Sequence, residues 1–172
     1  MVGTLEWTPA AARPDLLADA VAAAVGAVPE GEVAEIDPEL ADTAAFCERY
    51  EVPLEVSANC VVVAAKRGGE VTYAACMVLA TDRADVNGVV RKHLGARKVS
   101  FAPMADATAL TGMEYGGITP VGLPDGWPVL VDEAVAAAPQ VVIGSGLRRS
   151  KLLVPGKALV SLPAAQVLAL AQ

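Results

Sequence analysis

The sequence predicts an α+β fold: a single domain with a mixed, curved central sheet flanked by helices. Three observations lead there. "NCVVVAAKRGGEVTYAACMVLA" is β-branched and alternating, and "KRGG" interrupts it, which reads as a strand hairpin turned by Gly68 and Gly69. Elsewhere short apolar strands alternate irregularly with helical stretches, so tight hairpins sit beside helical crossovers. No GxGxxG or GxxxxGK[ST] pattern follows a strand, which leaves dinucleotide and P-loop folds without a motif. At 172 residues the chain is long enough to bury a real core in one domain.

"LEWT" opens the chain as a short strand. "RPDLLADAVAAAVGAV" follows as a helix with Leu16, Leu17, Ala20, Val21 and Ala24 on one stripe, ended by Pro29 and Gly31. "DPELADTAAFCERY" is a second helical stretch, capped by Asp37 or Asp42. The hairpin comes next, and then "DRADVNGVVRKHLG" returns to helix between Asp85 as cap and Gly95 as stop. "RKVSFA" is a strand and "PMADATAL" a helical turn starting on proline. "WPVLVD" is a strand, "EAVAAA" a helical turn, and "QVVIGSG" and "SKLLV" are two strands joined at "LRR". The closing "LPAAQVLALAQ" reads as helix.

Charge is distributed unevenly. The net is −7, yet residues 1–57 carry 12 acids and 2 bases while residues 58–172 carry 8 acids and 11 bases. An overall acidic chain is not a generic nucleic-acid binder, but an acidic cap beside a basic body can guide an anionic ligand to one face. A solvated surface with uneven charge explains the same numbers. No apolar run reaches the ~18 to 20 residues of a membrane span, and the start lacks a basic n-region followed by an apolar stretch. The expectation is a cytoplasmic protein with no membrane contact. Cys47, Cys60 and Cys76 are far apart with no CxxC, and His93 is the single histidine. That pattern expects core thiols rather than disulfides or a zinc site.

No catalytic signature stands out. His93 sits near a helix end, where a half-exposed histidine is unremarkable, and no G-x-S-x-G elbow occurs. "GMEYGGITPVG" (112–122) is the unusual stretch. Gly116, Gly117 and Gly122 leave its peptide groups bare, Thr119 adds a hydroxyl and Pro120 stiffens the exit. Such a loop can press backbone donors against a ligand. "GSGLRR" (144–149) exposes amides at Gly144 and Gly146, and it reads equally as a plain hairpin turn. Asp132 ends "PVLV", where its carboxylate can simply cap the following turn.

Taken in order, "GMEYGGITPVGLP", "PVLVDEAV", "VVIGSGLRRSKLLV" and "LVSLP" resemble the YbaK family, which includes the prolyl-tRNA synthetase-associated editing domains. "AAFCERYEVPLEVSANCVVV" extends the likeness upstream, so that it covers roughly residues 37–163. The resemblance implies an aminoacyl-tRNA deacylase that hydrolyses, in trans, the ester of a mischarged tRNA carrying a small amino acid. Its partners would be the aminoacylated 3′ end of tRNA and, as a further candidate, an aminoacyl-tRNA synthetase; the chain itself would be a monomer or homodimer. It implies no metal and no organic cofactor. Residues 37–172 would form the editing domain, with residues 1–36 as an extension packed on it.

Carried onto this sequence, the likeness makes Asn59, Gly116, Gly117, Thr119, Gly144 and Gly146 the catalytic candidates. Cys60, Pro120, Gly122, Asp132, Ser145 and Arg148 become the substrate-binding candidates. One departure bears on activity. Family members carry Lys in the first core strand in an Ala-Lys-Ser/Thr setting, and "SANCVVV" places Asn59 at the lysine position and Cys60 at the hydroxyl position. Asn keeps a donor but loses the cation and its reach. Lys66, seven residues on, falls on the opposite strand face, while Lys98, Lys151 or an arginine could enter the site through the fold. The alternative is therefore an impaired module that binds tRNA 3′ ends or a synthetase without turnover.

Overall fold

The computed structural model describes residues 2–172. Its elements in chain order are β1 (Thr8–Pro9), α1 (Asp19–Ala24), β2 (Glu32–Glu35), α2 (Thr43–Tyr50), β3 (Ala58–Arg67), β4 (Glu70–Leu79), α3 (Arg91–Leu94), β5 (Lys98–Phe101), α4 (Met104–Thr111), β6 (Val129–Asp132), α5 (Glu133–Ala136), β7 (Val141–Gly144), β8 (Ser150–Val154), α6 (Gly156–Val160) and β9 (Ala165–Leu168). A π-helical turn, Val86–Val90, leads into α3.

The strands form two sheets. One is ordered β5-β3-β4-β6-β9, with antiparallel pairs up to β4 and parallel pairs beyond it, and it is the mixed sheet expected from the sequence. The other, β1-β2-β8-β7, is antiparallel throughout. Val33, Ile143 and Leu152 of the antiparallel sheet pack against Ala58, Met77 and Val131 of the mixed sheet in a shared core. The outer face of the antiparallel sheet is closed by Phe46 and Cys47 of α2 over Ala34, Val142 and Leu153. On the far side of the mixed sheet, Val86 and Val90 close over Val63, Cys76 and Val78. Residues therefore alternate between two buried faces, which is why β8 is buried at every position.

The hairpin forms as its sequence requires. β3 and β4 pair without a break from Ala58↔Leu79 to Arg67↔Glu70, and Gly68 and Gly69 turn with φ of 58° and 83°. Two positive φ values in a two-residue loop match the right-handed twist of the flanking strands.

Two expectations are corrected, and one unassigned segment gains a strand. "LEWT" is not a strand; only Thr8 and Pro9 pair, with Val33 and Glu32. "EVAE" (32–35), to which the sequence pattern assigned no element, is an interior strand between β1 and β8, so the N-terminal segment completes the antiparallel sheet. The closing segment is not a helix: after the short α6, Ala164 turns the chain at φ 61° and residues 165–168 pair in parallel with β6. Its Ala, Leu and Gln content favours helix, but the unpaired edge of β6 offers a full ladder of hydrogen bonds that outweighs the preference.

Asp132 secures this C-terminal strand. Its carboxylate is buried, accepting from the amides of Leu170 (2.8 Å) and Ala171 (3.0 Å) through Oδ1 and from Ala134 (3.1 Å) through Oδ2. Three amides lose their acceptor in Asp132→Ala. The expected cost is about 3 kcal/mol or more in urea unfolding, with early hydrogen exchange across residues 165–171.

Candidate active site

The site lies where the two sheets meet. Ser57, just before β3, bridges Val142 of β7 in parallel, so the start of β3 runs alongside the end of β7. Alternation then puts Ser57 and Asn59 on the same surface as Val142 and Gly144. Lys151 of β8 is the cross-strand partner of Gly144 and shares that surface. These residues, with Ala41–Thr43 at the start of α2 and Tyr115, Gly116 and Ile118 of the glycine loop, line a cavity of about 320 Å³.

Absent side chains hold the loop against the strands. A Cβ on Gly144 would sit 2.5 Å from the carbonyl oxygen of Gly117 and 2.7 Å from that of Ile118. A Cβ on Gly117 would meet the Leu147 backbone at 2.8 Å. In the space thus freed, Gly146 donates to the Gly117 carbonyl (2.7 Å), Glu114 donates to that of Gly146 (2.9 Å), and the Glu114 carboxylate accepts from the Arg148 amide (2.8 Å). Gly116 turns at φ 81°, a value that L side chains rarely adopt. Among the described residues, the amides of Gly116 and Ile118 donate to no protein acceptor, although both residues line the cavity.

Lys151 supplies the cation. The residue is 8% exposed, and its Nζ donates to the Ala41 carbonyl at 2.9 Å and lies 5.3 Å from the centre of the Phe46 ring. Burial pushes its pKa down to about 8, with the Arg148 charge adding to the shift and Cys47 and Asp42 opposing it. An ammonium has three N–H donors; the Ala41 carbonyl is the acceptor found for it among the described residues.

Asn59 is oriented by Thr43, whose hydroxyl donates to its Oδ1 at 2.7 Å. With that oxygen engaged, the amide NH₂ is the group left for a ligand. The N-terminus of α2 also borders the cavity, and no side chain among the described residues caps it. Asp42 instead pairs loosely with Arg148 (3.7 Å), which reaches the carbonyls of Tyr115 (3.0 Å) and Pro38 (3.2 Å). One wall thus combines an ammonium, an amide NH₂, bare peptide N–H groups and the positive end of a helix. The rest of the wall is aliphatic, from Ala58, Val61 and Ile143. Cys60 belongs to this wall; burial pushes its thiol far up, so it stays protonated and weakly nucleophilic.

The candidates from the sequence divide accordingly. Asn59, Cys60, Gly116 and Gly144 line the cavity. Gly117, Gly146 and Arg148 hold the loop that forms it, and Gly146 also lets the turn lie against Ala18 and Val21. Ser145 is buried in a hydrogen bond with Ser150 (2.6 Å) beneath the turn. Thr119, Pro120, Gly122 and Asp132 do not reach the cavity. Thr119 is fully buried, Pro120 and Gly122 line a separate depression beside α1, and Asp132 serves the C-terminal strand. Lys151 is one of several cations that the sequence leaves available to the site, and the strand pairing selects it.

The aminoacyl-tRNA editing domain family matches residues 37–162. The chain belongs to this family. No curated protein matches it at a significant level. Among solved structures, a candidate trans-editing enzyme for prolyl tRNA synthetase superposes with a TM-score of 0.76 at 22% identity, over 90% of this chain and 96% of that one. The hypothetical protein APE2540 superposes with a TM-score of 0.73 at 20% identity, over 83% of this chain and 91% of that one. At such identities the likeness is one of fold, and the editing domain's own residues must carry the chemistry.

Two substitutions test the site's construction. Gly144→Ala forces a methyl into the Gly117 and Ile118 carbonyls, and a loss of about 1–3 kcal/mol in urea unfolding is expected. Thr119→Val removes a buried hydroxyl that has no partner among the described residues; a gain of about 1 kcal/mol is expected, read as a higher urea midpoint.

Proposed function

We propose that this editing domain is an aminoacyl-tRNA deacylase that hydrolyses the ester linking a small amino acid to the 3′ end of a mischarged tRNA. The observation that carries the reading is Lys151: a cation stands on the cavity surface shared by Asn59 and Gly144, although the family lysine position holds Asn. The aliphatic wall and the volume of about 320 Å³ suit a short side chain.

In this reading water attacks the ester carbonyl carbon, negative charge gathers on the carbonyl oxygen, and the carbon–oxygen bond to the ribose breaks. The ribose oxygen takes up the proton that the attacking water gives up, which leaves a free amino acid and a tRNA with its 3′-terminal hydroxyl restored. The ester is already activated, so positioning and oxyanion stabilisation supply most of what is needed. The Gly116 and Ile118 amides and the Lys151 ammonium are the donors we assign to the oxyanion, and Asn59 NH₂ is assigned to orienting the substrate. A serine- or cysteine-type nucleophile has no place in this scheme.

The ammonium has its charge below pH 8 and loses it as pH rises through about 8. The enzyme-dependent rate, after subtraction of spontaneous ester hydrolysis, is therefore expected to fall above pH 8. Lys151→Met is expected to lose about 100-fold in kcat and to lose that fall with pH. Release of labelled amino acid from alanyl-, seryl- and cysteinyl-tRNA mischarged on a non-cognate acceptor provides the measurement. No release above buffer from the whole panel would return the chain to a binding module without turnover.

A further inference from the structure

A second, larger groove opens directly from the candidate active site. It has a volume of about 830 Å³ and shares Asn59 and Val61 with the first cavity. From there it runs between the end of β5 and the segment 82–87 that enters the π-helical turn. Phe101, at the end of β5, is 68% exposed along it. In the β3–β5 register Phe101 is the partner of Val63, so its ring projects from the same sheet face as Asn59 and Val61. An exposed phenyl ring standing beside the mouth of an ester site is a platform for a flat, apolar-faced ligand.

The groove is bordered by both signs of charge, Arg83 and Lys98 against Asp82 and Asp85, and the Asp85 carboxylate is occupied by the amides of Gly88 and Val89. Beyond it the balance changes. The groove wall at Asn87 is one helical turn from Arg91, and Lys98 follows Arg97 directly. Arg67, Arg91, Lys92 and Arg97 surround an adjoining open depression, and no carboxylate is found among the described residues that line it. Among the described residues none of these four pairs with an acid; Arg67 and Arg91 donate to the carbonyls of Gly95 and Asn87. Four uncompensated cations on a chain of net charge −7 make a local anion surface.

We infer that the groove receives the unpaired 3′ strand of an RNA, with a base stacked on Phe101, and that the RNA backbone continues over Arg91, Lys92, Arg97 and Arg67. The inference rests on the deacylase reading for its direction, since the strand must end with its ester at Asn59. Aromatic stacking next to a basic track is the general means of holding single-stranded nucleic acid, and it tolerates any base. The ring serves the unpaired nucleotides and the cations serve the phosphates.

Binding of RNA that carries no amino acid tests the inference separately from hydrolysis. The probes are the tetranucleotide ACCA and a whole deacylated tRNA, titrated against the full chain. Phe101→Ala is expected to weaken the tetranucleotide roughly 10-fold, as for one stacked base, and Phe101→Trp to retain binding with the new indole fluorescence quenched. Arg91→Gln, Lys92→Gln and Arg97→Gln together are expected to weaken whole tRNA. They are also expected to flatten the slope of log affinity against log salt by about 0.9 for each phosphate that is no longer neutralised.

Wild-type affinities unchanged by these variants, or no tetranucleotide binding at low salt, would overturn the inference. So would an exposed Phe101 explained by a second copy of the chain, seen as a dimer in sedimentation that Phe101→Ala dissolves without RNA being bound. RNA binding that follows these variants in a protein that releases no amino acid would sink the deacylase reading and leave the groove standing.

Discussion

At the seam between the 114–118 loop and the β7–β8 turn, main chain lies on main chain. Gly117, Gly144 and Gly146 have no side chain to keep the two strands of backbone apart, and the Gly146 amide closes on the Gly117 carbonyl at 2.7 Å. The cavity depends on this approach. It sets Tyr115, Gly116 and Ile118 on the wall, lets Arg148 reach the Tyr115 carbonyl, and leaves Thr119 buried away from the site. Glycine costs backbone entropy wherever it is used. Here that cost is offset by peptide donors held rigidly at a surface no side chain obscures.

Lys151 is the second constraint, and it acts against stability. Burying an ammonium disfavours its charged form, and burial is the main cause that brings its pKa down to about 8. An unfolded chain, with an ordinary lysine, binds more protons between pH 8 and the usual lysine value. Folding stability therefore rises with pH across that window, the opposite direction from the activity expected of the cation. The Ala41 carbonyl and the Phe46 ring offset part of the cost. A strained or costly group held at a cavity wall points to use rather than to packing.

How much of this the sequence disclosed follows from how local each cause was. The Gly68–Gly69 hairpin, the Asp85 cap and the glycine loop depend on residues within a few positions of one another, and all could be read directly. β2 and β9 could not. "EVAE" is a strand because β8, over a hundred residues later, pairs with it, and residues 165–168 are a strand because β6 has a free edge. Lys151 was ambiguous for the same reason. Its own neighbours make it a strand residue, but its aim at the cavity comes from the pairing with Gly144 and from the Ser57–Val142 bridge that sets β3 beside β7.

That bridge also bears on the departure at Asn59. A strand alternates its side chains, so only every second residue of β3 and of β7–β8 shares the face that Asn59 and Gly144 present. With Ser57 against Val142, the permitted positions include 59 on one strand and 151 on the strand paired with the other. A cation at either place meets the same glycine loop and the same helix N-terminus. The fold therefore fixes the surface on which a cation must stand without fixing the strand that bears it. With Asn59 held by Thr43 as a neutral donor, a second ammonium is kept out of a cavity of about 320 Å³, where two like charges would raise each other's desolvation and repulsion costs. Asn at 59 and Lys at 151 are in that sense one arrangement: the neutral residue on β3 makes room for the charge on β8.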